Sequence, residues 1–158
     1  MARDPQNLLD AAIMDEQAQR VALITGGADG LGKAVALKLA ELGWSIFLHT
    51  TGDPADARDA VDEAVAAGEA AGFETQVSAA RADLTSSEHR EQLVEQALET
   101  FERIDLLVNA AWAPVSEARD LLEMTEQDFG EVMSATTTGT VFLTQLAANE
   151  MVRRCRRA

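Results

Sequence analysis

The residues whose type and spacing best suit chemistry are three glycines. Gly26, Gly30 and Gly32 fall in the stretch Thr25-Gly-Gly-Ala-Asp-Gly-Leu-Gly32, which has the spacing Thr-Gly-x-x-x-Gly-x-Gly. The apolar run Val21–Thr25 precedes them, and Leu31–Leu42 follows with helical character. Phosphates bind at a helix N-terminus, where free N–H groups and the helix dipole both face the anion. A side chain there would hold a pyrophosphate away. Gly26 allows the tight turn, Gly30 lets the backbone approach a phosphate, and Gly32 lets helix and strand pack closely. Leu31 sits between the last two and joins them as a candidate contact. A glycine-rich turn without a ligand is the alternative for such a pattern alone. The strand before it and the helix after it favour nucleotide binding. A nucleoside-triphosphate P-loop does not fit, because Lys33 is followed by Ala34 and not by Ser or Thr.

These glycines belong to a chain of 158 residues, 47% hydrophobic and 25% charged, enough for one domain with a core. Lys and Arg number 13 against 27 Asp and Glu, a formal charge of −14. That balance argues against nucleic acid or an anionic membrane as partner, since both need a basic face. Arg153, Arg154, Arg156 and Arg157 cluster at the end, where they suit the negative end of a helix dipole. The lone Cys155 excludes an internal disulfide and fits a cytoplasmic setting. No apolar run approaches the ~18 residues of a membrane helix, and the first residues resemble no secretory signal.

Positioning the glycine loop calls for alternating strands and helices. Residues 1–20 read as an N-terminal extension. Val21–Thr25, Ser45–His49, Thr75–Ala80 and Asp105–Asn109 read as strands. Leu31–Leu42, Ala55–Ala71, a helix from 85 to Phe101, and a long last helix from Thr125 to about Arg154 read as helices. Thr85-Ser-Ser-Glu88 has the form of a capping box, and Thr125-Glu-Gln-Asp128 is a second cap. Strands separated by helices mean βαβ units and a parallel sheet. Right-handed crossovers then give an α/β, doubly wound sheet of Rossmann type, order 3-2-1-4, with helices on both faces.

Four segments resemble the short-chain dehydrogenase/reductase family. They are the glycine stretch 25–32, Ala82-Asp-Leu-Thr85, Val108-Asn-Ala-Ala111 and Thr138-Gly-Thr-Val-Phe-Leu-Thr-Gln-Leu146. The resemblance spans about residues 20–155 and implies a nicotinamide dinucleotide cofactor and oxidoreductase activity. It implies that Asp83 and Leu84 contact adenine, and that Asn109, Ala110 and Ala111 lie along the cofactor. Asp83 has a plainer reading, capping a turn before the helix; its place after the third strand favours adenine. Asn109 reads equally as a structural residue that joins neighbouring strands. The stretch Thr136–Thr140 is poor helix sequence, with β-branched residues beside Gly139, which points to close packing against a neighbouring helix and not to catalysis.

Cofactor preference in this family is set at the end of the second strand. The acidic position there matches Thr50, which favours NADP(H) over NAD(H). No arginine sits beside it to bind the extra phosphate, and Asp53 is close enough to oppose one. His49 is either a ligand contact or, as is commoner for a strand-end histidine, structural.

The departures from the family are as telling. The family's reaction uses a tyrosine, a lysine four residues on, a serine and a helix asparagine. This chain contains no tyrosine, and its only lysines are Lys33 and Lys38. Thr136 matches the asparagine position, and Trp112 follows Asn109-Ala110-Ala111 on the nicotinamide side. The resemblance therefore implies residues 21–158 to be a dinucleotide-binding domain without the catalytic half. No catalytic residue and no metal ligand is assigned. The fourth strand is then a bare apolar edge, so self-association or a second chain is expected to cover it and the last helix. A non-catalytic dinucleotide-binding module and a protein-interaction module are the competing readings.

Overall fold

The computed structural model describes residues 19–112, 120 and 122–157. Four strands form one parallel sheet. They are β1 (Val21–Thr25), β2 (Ser45–Thr50), β3 (Val77–Arg81) and β4 (Leu106–Asn109), in spatial order β3-β2-β1-β4. This is the order that the alternation of apolar strands and helices predicts. All residues of β1 and β2 are buried, as central strands covered on both faces must be. Helix α1 (Gly30–Ala40) and helix α2 (Arg58–Ala70) cover one face. Helix α3 (Ser87–Phe101) and helix α5 (Gly139–Arg157) cover the other. Helix α4 (Glu126–Met133) leads into α5 through a single π turn at Ser134–Thr138.

Alternate residues of each strand feed opposite cores, as the two-residue period of a strand requires. Ala22, Ile24, Ile46 and Leu48 pack on Ala36, Ala40, Ala60 and Ala64 of α1 and α2. Leu23, Phe47 and Ala80 pack on Leu93, Val94 and Ala97 of α3 and Leu143 of α5. The small residues on α1 and α2 let those helices lie close to the sheet.

Several boundaries differ from the sequence expectation, each for a local reason. Strand β3 begins at Val77 and not at Thr75. Thr75 is buried, with its hydroxyl toward the Ala40 carbonyl at 3.4 Å, so it locks the end of α1 instead of extending the strand. Helix α2 is preceded by a 3-10 turn at Pro54–Ala57. The cap of α3 is Ser86, whose hydroxyl accepts from His89 N at 3.4 Å; the expected Thr85–Glu88 box does not form. Thr85 turns back to Asp83 instead. The Thr125–Asp128 box does form, with Thr125 Oγ1 accepting from Asp128 N and the Asp128 carboxylate accepting from Thr125 N.

Gly139 packs tightly, but against backbone outside any helix. A Cβ there would lie 2.6 Å from the Leu84 carbonyl oxygen. That carbonyl also accepts from Arg90 Nη1 at 2.6 Å. At the opposite end of the sheet, Asp105 accepts from Val21 N and from two Arg103 nitrogens. Burial pushes the Asp105 carboxyl up, but these bonds and the Arg103 and Arg154 charges outweigh it and hold the group below its ordinary range. Of the expected N-terminal extension, residues 1–18 lie outside the described residues. No described helix is long and apolar enough to cross a membrane.

Candidate functional site

The loop after β1 runs from Gly26 to the start of α1, and two contacts fold it over the ends of three strands. Gly26 adopts φ +62°, a left-handed turn that glycine takes without a steric penalty. A Cβ on Gly26 would stand 2.8 Å from Ala111 Cα, so the turn lies directly against the segment leaving β4. A Cβ on Gly32 would fall 2.1 Å from the Gly26 carbonyl oxygen, so the first turn of α1 rests on that same loop. Gly30 differs from both. A Cβ there would meet no atom within 4 Å, so its face opens on a cleft. Asp29 caps α1 without a side-chain hydrogen bond. The N–H groups of the first turn therefore stay available to an anion or to water.

The cleft encloses about 380 Å³ and is lined by Gly26, Ala28–Gly32, His49–Thr51 and Ala110–Trp112. It thus gathers Gly26, Gly30, Leu31, Gly32, Thr50, Ala110 and Ala111, seven of the residues singled out from sequence. Thr50 is buried, and its hydroxyl accepts from Gly52 N at 3.1 Å, which shapes the turn after β2. Trp112 is 73% exposed at the rim of the cleft.

A second cleft of about 570 Å³ adjoins it at Thr51, which lines both. Its other lining residues are Arg81, Ala82, Asp83, His89 and Gln92. Asp83 Oδ1 accepts from Thr85 Oγ1 at 2.7 Å and from Thr85 N at 2.9 Å. Those bonds hold its carboxyl below the ordinary range, with smaller help from the charges of His89 and Arg90. Asp83 therefore makes the turn before α3 and lines a cleft as well. Leu84 lines neither cleft: its side chain lies in the core, and its carbonyl is taken by Arg90. Asn109 donates through Nδ2 to Thr144 Oγ1 at 3.1 Å, which ties β4 to α5 and not to a neighbouring strand.

Two residues hold the site together in ways that sequence reading missed. Thr25 Oγ1 accepts from Ala110 N and Ala111 N, both at 3.1 Å, and clamps the ends of β1 and β4. His49 is fully buried, with Nδ1 3.3 Å from Gly26 N and Nε2 3.0 Å from the Ala82 carbonyl. The Gly26 N–H can only donate and the Ala82 oxygen can only accept. The ring is therefore neutral, with its proton on Nε2. Burial lowers its pKa below that of an ordinary histidine, outweighing the upward pull of the Ala82 bond. His49 is the structural histidine of the two readings, placed beneath the glycine loop.

Arg81 is the third residue that the sequence concealed. It is paired in register with Thr50 across the sheet, although 31 positions separate them in the chain. An arginine does stand beside the end of β2, contrary to the sequence expectation. Lys33 and Lys38 are engaged on α1 with Glu63 and Glu41 at 2.8 and 2.7 Å. Thr136 lies in the π turn with its hydroxyl donating to the Val132 carbonyl. Among the described residues, no group of three or more His, Cys, Asp or Glu is placed to hold a metal ion.

Known proteins match this architecture and its sequence. A hydroxynaphthalene reductase-like protein of Metarhizium guizhouense (strain ARSEF 977) is 32% identical over 130 residues, covering 82% of this chain and 46% of its own. The BbsD subunit of a hydroxy(phenyl)methylsuccinyl-CoA dehydrogenase of Thauera aromatica is 35% identical, covering 84% of this chain and 50% of its own. The chain thus spans about half the length of these relatives. A solved structure of the 3-oxoacyl-acyl-carrier-protein reductase of Brucella melitensis, in complex with NAD, superposes with a TM-score of 0.74 at 29% identity. It covers 85% of this chain and 49% of that one. The short chain dehydrogenase family model matches residues 20–157, and the chain belongs to that family of oxidoreductases.

Proposed function

We propose that residues 21–158 form the cofactor-binding portion of a cytoplasmic short-chain oxidoreductase, with NADP(H) favoured over NAD(H). One observation carries this reading: the glycine loop, the end of β2 and the segment after β4 enclose a single cleft, and Gly30 opens on it. The residues fit a dinucleotide. The N–H groups and dipole of α1 favour the pyrophosphate, and the absence of a Gly30 side chain leaves room for it. Thr50 and Thr51 stand where an adenosine ribose is held in this fold. Asp83 offers an edge for adenine, and Ala110 and Ala111 flank the nicotinamide half, with Asn109 fixing the strand that carries them. When bound, the nicotinamide supplies or accepts hydride. These residues bind and orient the cofactor; they move no proton. No tyrosine occurs in the chain, so no phenol is present to protonate an alkoxide.

The test is a calorimetric titration of the folded chain with NADPH and then NADH. Micromolar binding is expected. In Gly30→Trp the affinity falls roughly 100-fold or more, because the indole fills the phosphate position. Gly30 sits at φ +47°, so any side chain there strains the backbone. Gly30→Ala carries the same strain with little bulk and separates the two effects: it retains more binding than the tryptophan variant. A well-folded chain that binds neither cofactor overturns the proposal and leaves the interaction module as the better reading.

We further propose that the chain self-associates. Strand β4 is a sheet edge whose Leu106, Leu107 and Val108 are only partly buried. Phe129, Val141, Phe142 and Val152 are exposed on α4 and α5. An apolar edge beside an apolar helix face favours pairing. Sedimentation velocity from micromolar concentrations upward is expected to show mass rising with concentration. A single monomeric species across that range refutes it.

A further inference from the structure

Arg81 ends β3 in register with Thr50 of β2. Neighbouring strands of a sheet lie about 4.8 Å apart, and residues in register on parallel strands point to the same face. The arginine is exposed, and its side chain makes no hydrogen bond or ion pair with a described residue. It lines the cleft that continues the glycine-loop cleft beyond Thr51. Arg103, Arg90 and Lys33 are by contrast committed elsewhere: Arg103 to Asp105, Arg90 to the Leu84 carbonyl, Lys33 to Glu63.

The remaining lining groups leave the guanidinium little competition. Asp83 is the one carboxylate among them, and its Oδ1 is engaged by the hydroxyl and N–H of Thr85. His89 Nδ1 faces Asp83 N at 3.4 Å, which leaves Nε2 as a donor, and Gln92 adds an amide. Asp53 does not line the cleft, and its Oδ1 accepts from Ala55 N at 2.8 Å. In a chain with 27 acidic against 13 basic residues, this is a local concentration of donors. Thr50, where a carboxylate would hold a ribose 2′-hydroxyl and repel a phosphate, does neither.

We infer that Arg81 is the specificity-determining residue that receives the 2′-phosphate of NADP(H), from the strand beside Thr50 and Thr51. This rests on the cofactor reading above and adds the residue that selects between the two cofactors. A planar guanidinium can meet phosphate oxygens with two parallel N–H donors, which suits an exposed strand end next to a ribose site.

The experiment titrates the whole chain and its Arg81→Met and Arg81→Lys variants with NADPH, NADH, 2′,5′-ADP and 5′-ADP. The wild-type chain is expected to bind NADPH and 2′,5′-ADP about tenfold or more tightly than NADH and 5′-ADP. Arg81→Met erases that preference and leaves NADH within about twofold, while Arg81→Lys keeps part of it through its charge. The NADPH affinity of the wild type also falls more steeply with salt than that of Arg81→Met. Equal weakening of both cofactors in Arg81→Met, or no change in either, overturns the role of Arg81. Wild-type binding of NADH as tight as NADPH overturns it too, while the cofactor reading stands. Binding of none of the four ligands overturns both.

Discussion

Gly32→Ala is expected to destabilise the chain by about 3 kcal/mol and to remove cofactor binding with it. The added Cβ would lie 2.1 Å from the Gly26 carbonyl oxygen, 2.7 Å from its carbonyl carbon and 3.1 Å from Gly27 Cα. These are backbone atoms, so no flexible side chain can swing aside. Nor can the loop retreat. Gly26 is backed by Ala111 Cα, which a Cβ on Gly26 would approach to 2.8 Å. The Ala111 segment is itself clamped by the Thr25 hydroxyl. Glycine loop, first helical turn and β4 exit form a stack of three backbones with no slack, and one methyl must move at least one of them. For a domain of this size the loss corresponds to a fall in Tm of roughly 10 °C. Thermal unfolding followed by circular dichroism, beside an NADPH titration, measures both effects. Gly30→Trp should do the reverse: it blocks the ligand and costs less stability than Gly32→Ala, because its side chain enters open space and only the backbone strain at φ +47° remains. An unchanged Tm in Gly32→Ala would show that the stack is looser than its distances say.

Acid is expected to weaken the fold through His49 before any carboxylate contributes. Burial lowers the pKa of the folded-state imidazole below the ordinary value near 6.5. As pH falls through about 6.5, the unfolded chain takes up a proton at this residue while the folded chain does not. Stability is therefore complete above that value and declines below it, by at most about 1.4 kcal/mol per pH unit, until the folded pKa is reached. Asp83 and Asp105, whose carboxyls are held below their ordinary range, keep their contribution down to about pH 4 and lose it only below. Urea unfolding at pH 7, 6 and 5 thus isolates the histidine. Only at the lower, folded pKa would a protonated Nδ1 present an N–H to the Gly26 N–H at 3.3 Å, so the glycine loop opens and NADPH affinity falls at a lower pH than the one at which stability starts to decline. In His49→Leu the slope between pH 7 and 5 disappears. Stability at pH 7 drops by about 3 kcal/mol, because Gly26 N–H and the Ala82 carbonyl lose their partner in a buried place. A wild-type chain equally stable at pH 7 and pH 5 would refute the account.

The order of the sheet and the place of its helices were legible in the chain itself. Val21–Thr25 is too apolar to have a wet face, so it had to be a central strand. The helical stretches between the apolar runs are long enough to cross over, which forces parallel pairing. Glycine spacing was legible for the same reason: Gly26, Gly30 and Gly32 act on a turn only seven residues long, and the strand-turn-helix context lies within it. Local signals failed where two short-range partners competed. Thr85 has the sequence of a cap, but Asp83, two residues back, offers its hydroxyl a carboxylate, and Ser86 takes the cap.

Features set by neighbours along the chain were thus readable from its residues alone: the parallel α/β fold, and a glycine turn between the first strand and the first helix. Which distant groups meet was set by the packing of the elements. Thr25 clamps Ala110 and Ala111 across 85 and 86 positions, and His49 reaches Gly26 and Ala82 across 23 and 33. Arg81 joins Thr50 through strand register alone. Register is fixed when whole strands bury their faces together, so no short stretch of sequence carries it.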